Sequence, residues 1–366
     1  MPMDAPRLTS DEEPFPATLR FLEPDGKVCR ALPGFARDAK VLIPLYRAMV
    51  LTRAFDQKAV SLQRTGRLGT FASSLGQEAV GVGVASAMRT DDVLLPTYRD
   101  QSAMLWRGVK PVELLTYWGG DERGNDFSGP RRDFPISIPV ASQIPHAAGV
   151  ALAMKLKGEQ RAAVGIVGDG GTSKGDFYEA INIAGVWRVP AVFIVNNNQW
   201  AISVPLSRQT AALNLAQKGM AAGIPGEQVD GNDVVAVRDA AERALARARA
   251  GEGPSLIEAV TYRLSDHTTA DDAHRYRSDA DVSRHWKEEP VVRLKAFLVR
   301  AEVWSKPDEE ALLAECAASV ERAVAEYLSR AREPAASMFD HLFAQLPKGI
   351  ESQRAEAARY AEARRG

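Results

Sequence analysis

The residues of this chain best placed to do chemistry are an aspartate and an asparagine. Asp169 stands between glycines in Gly168-Asp169-Gly170, and Asn198 closes the run Asn196-Asn197-Asn198. Each follows a short apolar run, 163–167 and 191–195, and the stretch between, 175–188, carries Phe177, Ile181 and Ala184 at helical spacing. Strand, helix and strand make a βαβ unit, so both polar residues come to one edge of a parallel sheet, where open α/β sheets bind ligands. With neighbouring strands about 4.8 Å apart, a carboxylate and an amide oxygen can converge on one small cation. Magnesium suits them, because it takes oxygens in a near-octahedral array and is usually held by one or two carboxylates plus the phosphates of a ligand. Asp169, Asn198 and one backbone carbonyl would supply half of that shell. The flanking glycines let the backbone approach an anion, and Gly171, Thr172 and Ser173 precede a helix whose start offers free N–H groups to a diphosphate.

The elements that position these residues follow from pattern. Strands and helices alternate from 144 to 262, with helices expected over 144–157, 175–188 and 233–250 and a further strand over 255–262. This is the α/β class, a parallel sheet with helices on both faces. Residues 36–280 form the α/β domain on this reading, with an amphipathic helix over 36–63. Residues 1–35 read as an N-terminal arm with a turn at Pro24-Asp25-Gly26-Lys27, and 281–366 as a helical C-terminal region with a helix over 308–332.

Composition sets the outer limits. The chain has 366 residues, 45% hydrophobic and 25% charged, with net charge -1, and no basic stretch that would fit nucleic acid. The apolar run 189–195 is far shorter than the roughly 20 residues that cross a bilayer, so no membrane role is expected. The first 16 residues carry acids and prolines, which points to the cytoplasm. Cys29 and Cys316 lack metal-ligand spacing, and His146, His274, His285 and His341 lack a partner motif. Gly81-Val82-Gly83-Val84-Ala85-Ser86 imitates a dinucleotide fingerprint, yet it falls inside a helix rather than at a strand-to-helix turn.

The segment GDGGTSKGDFYEAINIAGVWRVPAVFIVNNNQWAIS resembles alpha subunits of the thiamine diphosphate-dependent decarboxylating component of 2-oxoacid dehydrogenase complexes, closest in look to the pyruvate dehydrogenase (acetyl-transferring) type. The blocks at 66–83, 94–100, 135–149 and 262–277 resemble that family's blocks in the same order. The resemblance implies a thiamine diphosphate-binding fold. It also implies oxidative decarboxylation of a 2-oxoacid, with the cofactor holding the electrons released as carbon dioxide leaves. A separate beta subunit would supply the activating glutamate in an α2β2 heterotetramer, and a lipoyl-bearing acyltransferase would accept the acyl group.

Residue by residue, the resemblance implies Mg2+ ligands at Asp169, Asn198 and the main-chain oxygen of Trp200, where the family often has Tyr. Tyr98 and Arg99 would bond the diphosphate, Gly168, Gly170 and Gly171 would approach it, and the main chain of Ile138 and Val140 would meet the aminopyrimidine. His267 matches a loop histidine that reaches the phosphate and the reacting centre, in a loop ordered by Asp271, Asp272, Tyr276 and Arg277. Thr268 stands where mitochondrial relatives carry a regulatory serine. A monovalent cation site of branched-chain relatives maps to Ser137, Pro139, Ser142 and Gln143. Phe71 would lie near the wall that sets acyl size. Lys174 and Tyr178 favour pyruvate, the branched-chain type tending to Glu and His there. The alternatives are a branched-chain alpha subunit and a nucleotide-binding or structural subunit.

Overall fold

In the computed structural model, residues 18–331, 333–340 and 342–363 are described. The first 17 residues of the expected arm, and His341, lie outside the described residues. In chain order the elements are α1 (Ala39–Arg64), α2 (Glu78–Ala87), β1 (Val93–Leu95), α3 (Gln101–Trp106), α4 (Pro111–Trp118) and α5 (Gln143–Leu156). There follow β2 (Ala163–Gly168), α6 (Gly175–Trp187), β3 (Ala191–Asn197), the two-residue strands β4 (Trp200–Ala201) and β5 (Val204–Pro205), α7 (Lys218–Ala221) and β6 (Gly226–Asp230). The chain continues through α8 (Val234–Arg249), β7 (Ser255–Val260), α9 (Asp279–His285), α10 (Pro290–Arg300), α11 (Lys306–Ser329) and α12 (Lys348–Ala363).

Five parallel strands make the sheet, in the order β1-β2-β3-β7-β6. Alternate residues of a strand face opposite sides, and here both sides are apolar. Val164, Ile166, Val192 and Ile194 enter a core shared with α1, α2 and α8, whereas Ala163, Val167, Phe193 and Val195 enter a second core with α5 and α6. That continuous burial is why the sequence shows unbroken apolar runs there.

The false fingerprint lies wholly within α2, which is buried from Glu78 to Ala85. Its glycines serve helix packing: a Cβ on Gly83 would sit 2.7 Å from Val237 Cγ1 on α8. The visible end of the arm lies along the free edge of the sheet. Leu19 forms a parallel bridge with Val229, and its amide donates to Gln228 O at 2.9 Å. The 24–27 turn closes with Gly26 at φ 78° and the Glu23 amide bonded to Lys27 O. In the C-terminal region α11 begins at a Ser305–Asp308 capping box. It packs along α1 and α4, with Tyr46 Oη donating to Glu309 and Arg47 paired with Glu315.

Candidate active site

The sheet edge expected to bind ligands holds a cavity of about 250 Å³. Gly168 pairs with Asn196 across β2 and β3, so Asp169 and Asn198 emerge side by side at the strand ends, and both line the cavity. The three asparagines divide their work. Asn197 donates to Glu258 Oε1 at 2.7 Å, and Asn196 accepts from Thr261 Oγ1 at 3.1 Å, which ties the end of β3 to β7. Asn198 instead donates through Nδ2 to Gln77 Oε1 at 3.1 Å, and its Oδ1 accepts the Trp200 amide at 3.2 Å.

Asp169 opens a 3-10 turn that runs to Ser173, and α6 starts only at Gly175. The glycines expected to approach a diphosphate, Gly168, Gly170 and Gly171, form the cavity wall with Asp169, ahead of the helix start. A Cβ on Gly170 would fall 2.5 Å from Ala201 Cβ, so only glycine lets this turn close against β4. Asp169 is 2% exposed and accepts from Gln209 Nε2 at 2.7 Å. Burial pushes its carboxyl above the usual range, and the Gln209 bond opposes that rise. Lys218 braces the turn from behind, its ammonium donating to Thr172 O and Thr172 Oγ1 at 2.9 and 2.8 Å.

The opposite wall comes from loops. Arg99 is 6% exposed and donates to His267 O at 2.8 Å, with the same nitrogen 3.2 Å from His267 Nδ1. Arg263 is fully buried; it donates to Ile202 O at 2.8 Å and to Tyr276 Oη at 2.6 Å, and its other guanidinium nitrogen lies 3.5 Å from His267 Nδ1. Burial lowers Arg263 to about 10. Burial first, then the charges of Arg99 and Arg263, holds His267 down at about 4. Guanidinium groups can only donate, so Nδ1 is an acceptor and the neutral ring carries its hydrogen on Nε2. Tyr98 meets His267 edge to face, ring centres 6.2 Å apart.

The loop around His267 is held by its own polar residues. Asp271 accepts the His267 amide at 2.9 Å and the Tyr276 hydroxyl, while Arg277 donates to Arg263 O and Ser265 O. Asp272 is exposed, and the Thr268 hydroxyl accepts the Ala270 amide at 3.3 Å.

The expected residues are gathered unequally. Tyr98, Arg99, Val140, Trp200 and His267 line the cavity with the turn, whereas Ile138, 52% exposed, is not part of its wall. Ser137 and Ser142 hydroxyls lie 2.9 Å apart and Ser142 donates to Pro139 O, but the Gln143 amide nitrogen is engaged by Ile166 O. Phe71 is fully buried between Phe55 and Trp118, away from the cavity wall. His146 stacks obliquely on Phe134, His274 pairs with Asp279, and His285 stacks on Tyr262. Gln77, Gln209, Lys218 and Arg263 escaped the sequence reading. Gln77 and Arg263 lay in blocks it singled out, 66–83 and 262–277, and nothing in the type or spacing of Gln209 and Lys218 marks them.

Three of the residues with positive φ that are not glycine, Ala141, Gln199 and Ile202, cluster here at 65°, 71° and 56°. Each costs about 1 kcal/mol or more, which packing must offset, and such strain concentrates where a backbone is aimed at a ligand. Among the described residues no three or more His, Cys, Asp or Glu side chains are grouped to hold a metal. A cation here would therefore rest on one carboxylate with amide and carbonyl oxygens, hard donors that fit Mg2+. The buried guanidinium of Arg99 in the same cavity fits an anion.

The family model described as dehydrogenase E1 component matches residues 46–335. The pyruvate dehydrogenase E1 component subunit alpha of Staphylococcus aureus strain Mu50 is 37% identical over 353 residues, 96% of this chain and 95% of that protein. The 3-methyl-2-oxobutanoate dehydrogenase subunit alpha of Mycobacterium tuberculosis is 42% identical over 311 residues, 85% of this chain and 84% of that protein.

Proposed function

The chain belongs to the dehydrogenase E1 component family, as the alpha subunit of a 2-oxoacid dehydrogenase, and from that premise we propose that its substrate is pyruvate. We propose further that the cavity takes the diphosphate end of thiamine diphosphate through Mg2+, held by Asp169, Asn198 and the Trp200 carbonyl. The observation that carries this reading is the donor set at the strand ends: a buried carboxylate and an amide oxygen at the ends of adjacent parallel strands, in one cavity with the buried guanidinium of Arg99.

When bound, the cofactor supplies the carbon that attacks the 2-oxo group and the ring that takes up the electrons released with carbon dioxide. This chain's residues do the rest of the work on their side. Asp169 neutralises a cation, Arg99 and Tyr98 hold phosphate oxygens, and the Gly168–Gly171 turn brings backbone close to them. His267, neutral with its hydrogen on Nε2, donates that hydrogen to an oxygen in the cavity, and the flanking guanidiniums oppose its protonation.

Pyruvate is favoured by the near-full-length match to the Staphylococcus aureus protein and by Lys174 and Tyr178. Those two side chains are exposed and lie outside the cavity wall, so they act as family markers rather than as contacts. The Mycobacterium tuberculosis relative favours a branched-chain acid instead. We place this chain in an α2β2 assembly in the cytoplasm, passing its acyl group to a lipoyl-bearing acyltransferase. No helix of the described residues is long and apolar enough to cross a membrane.

The deciding measurement is turnover of pyruvate against 3-methyl-2-oxobutanoate with an artificial electron acceptor, for the chain alone and with a beta subunit. Preference for pyruvate, and activity only in the pair, is the expected result. Preference for the branched acid overturns the substrate; equal turnover by the isolated chain overturns the shared site.

A further inference from the structure

A metal ligand supplied by an asparagine has a weakness that a carboxylate lacks. Rotating its amide by half a turn replaces the oxygen with an NH2 group of nearly the same shape, and the ligand is lost. Something must therefore choose the orientation of Asn198. The Trp200 amide favours Oδ1 on its side, but through a 3.2 Å bond in a loop whose preceding residue, Gln199, has φ 71°.

Gln77 supplies the second contact that holds this orientation. It stands immediately before α2, an element buried from Glu78 to Ala85, and its own amide donates to Ser74 O at 2.9 Å. Its side chain is 2% exposed and lines the cavity. Oε1 of Gln77 accepts Nδ2 of Asn198 at 3.1 Å, while its Nε2 is buried with no protein partner. Rotating the Asn198 amide would set its acceptor oxygen where Nδ2 now donates, against Gln77 Oε1, and bring its NH2 onto the Trp200 N–H. The Trp200 contact would turn repulsive, and the Gln77 contact would survive only if the Gln77 amide turned as well.

We propose that Gln77 is a positioning residue for the metal site, holding Asn198 so that its oxygen, not its nitrogen, faces the cation. The proposal rests on the reading of Asn198 as a metal ligand. Gln77 contributes no ligand atom itself; it acts by accepting one hydrogen bond, from a support that α2 makes rigid. Outer-sphere partners of this kind change metal affinity by about 10–100-fold when removed.

The test uses the full chain assembled with its beta subunit, with Mn2+ in place of Mg2+ and thiamine diphosphate present. Bound metal is read from the electron paramagnetic resonance signal of free Mn2+. Gln77→Met keeps length and volume but cannot accept; Gln77→Glu keeps the acceptor. Asn198→Ala reports on the premise and is expected to weaken Mn2+ binding; wild-type affinity there removes the metal reading, and with it this proposal. With that premise intact, Gln77→Met is expected to weaken binding about tenfold, Gln77→Glu to stay near wild type, and Gln77→Met to add nothing further on an Asn198→Ala background. Wild-type affinity in Gln77→Met, a fully additive loss in the double variant, or a Gln77→Glu as weak as Gln77→Met each overturns it. If Gln77→Met does not fold, the glutamate variant decides alone: near-wild-type affinity supports the proposal, and a tenfold loss ends it.

Discussion

The cavity has two walls built on different principles. Asp169 and Asn198 stand on the ends of β2 and β3, whose ladder continues to the Gly168–Asn196 pair, so backbone hydrogen bonds set their separation. His267 stands on a loop, and its place is set by side chains: Arg99 and Arg263 from one side, Asp271 and Tyr276 from the other. The strand-end wall is therefore rigid whatever its side chains are, whereas the loop wall depends on a few charge-assisted bonds made out of reach of water. Substitutions should remove binding at the first wall without disturbing structure, and should disturb order or turnover at the second.

The largest effect is expected from Asp169→Ala. It removes the only charged group of the proposed shell, so calorimetry should show Mg2+-dependent cofactor affinity falling by more than the roughly 100-fold typical of outer-sphere changes, with the fold intact. Retained affinity would break the strand-end half of the comparison. On the other wall, His267→Ala should lower turnover by about 100-fold or more while cofactor affinity changes far less, since a general acid–base or donor role is felt mainly in the rate. Wild-type turnover would reduce His267 to a loop residue.

Arg263→Met tests whether side chains really hold the second wall. Losing the bonds to Ile202 O and the Tyr276 hydroxyl should cost about 2–3 kcal/mol, seen as faster proteolysis within 262–277. Unchanged cleavage would mean the loop is held by something else. Asn198→Ala should cost about tenfold in metal-dependent binding, ~1.4 kcal/mol, because a neutral oxygen is lost and water can replace it. A loss equal to that of Asp169→Ala would contradict the carboxylate as main anchor.

The smallest effect is in pH dependence. His267 is held at about 4, below its ordinary 6.5, so between those values the unfolded chain binds a proton that the folded one refuses. Its contribution to stability is present above pH 6.5 and is lost as pH falls towards 4. Nuclear magnetic resonance of the ring should show a midpoint near 4 in the folded chain; a midpoint near 6.5 would mean the guanidiniums do not face it.

The sequence was most legible where chemistry and secondary structure share one short segment. Gly168-Asp169-Gly170 and Asn196-Asn197-Asn198 follow apolar runs that are β2 and β3, and the helical spacing between them is α6. The small errors were at boundaries. The helix expected over 308–332, for example, is Lys306–Ser329, whereas the helix expected from 175 does start at Gly175, with Gly171–Ser173 ahead of it in a 3-10 turn. A position within a recognisable block says nothing about which way its side chain faces: Phe71 is buried in the core, whereas Ile138 is exposed.

What the sequence by itself determined is therefore the α/β class, the family, and the polar residue types at the strand ends, since periodicity and short motifs are local properties that one segment can carry. Only the tertiary structure decided which orientation Asn198 takes, that Gln209 and Lys218 brace the Asp169 turn, and that His267 is neutral. The reason is physical. An amide's orientation and an imidazole's proton are fixed by partners within about 3 Å, and here those partners, Gln77 for Asn198 and Arg99 for His267, are 121 and 168 residues away along the chain.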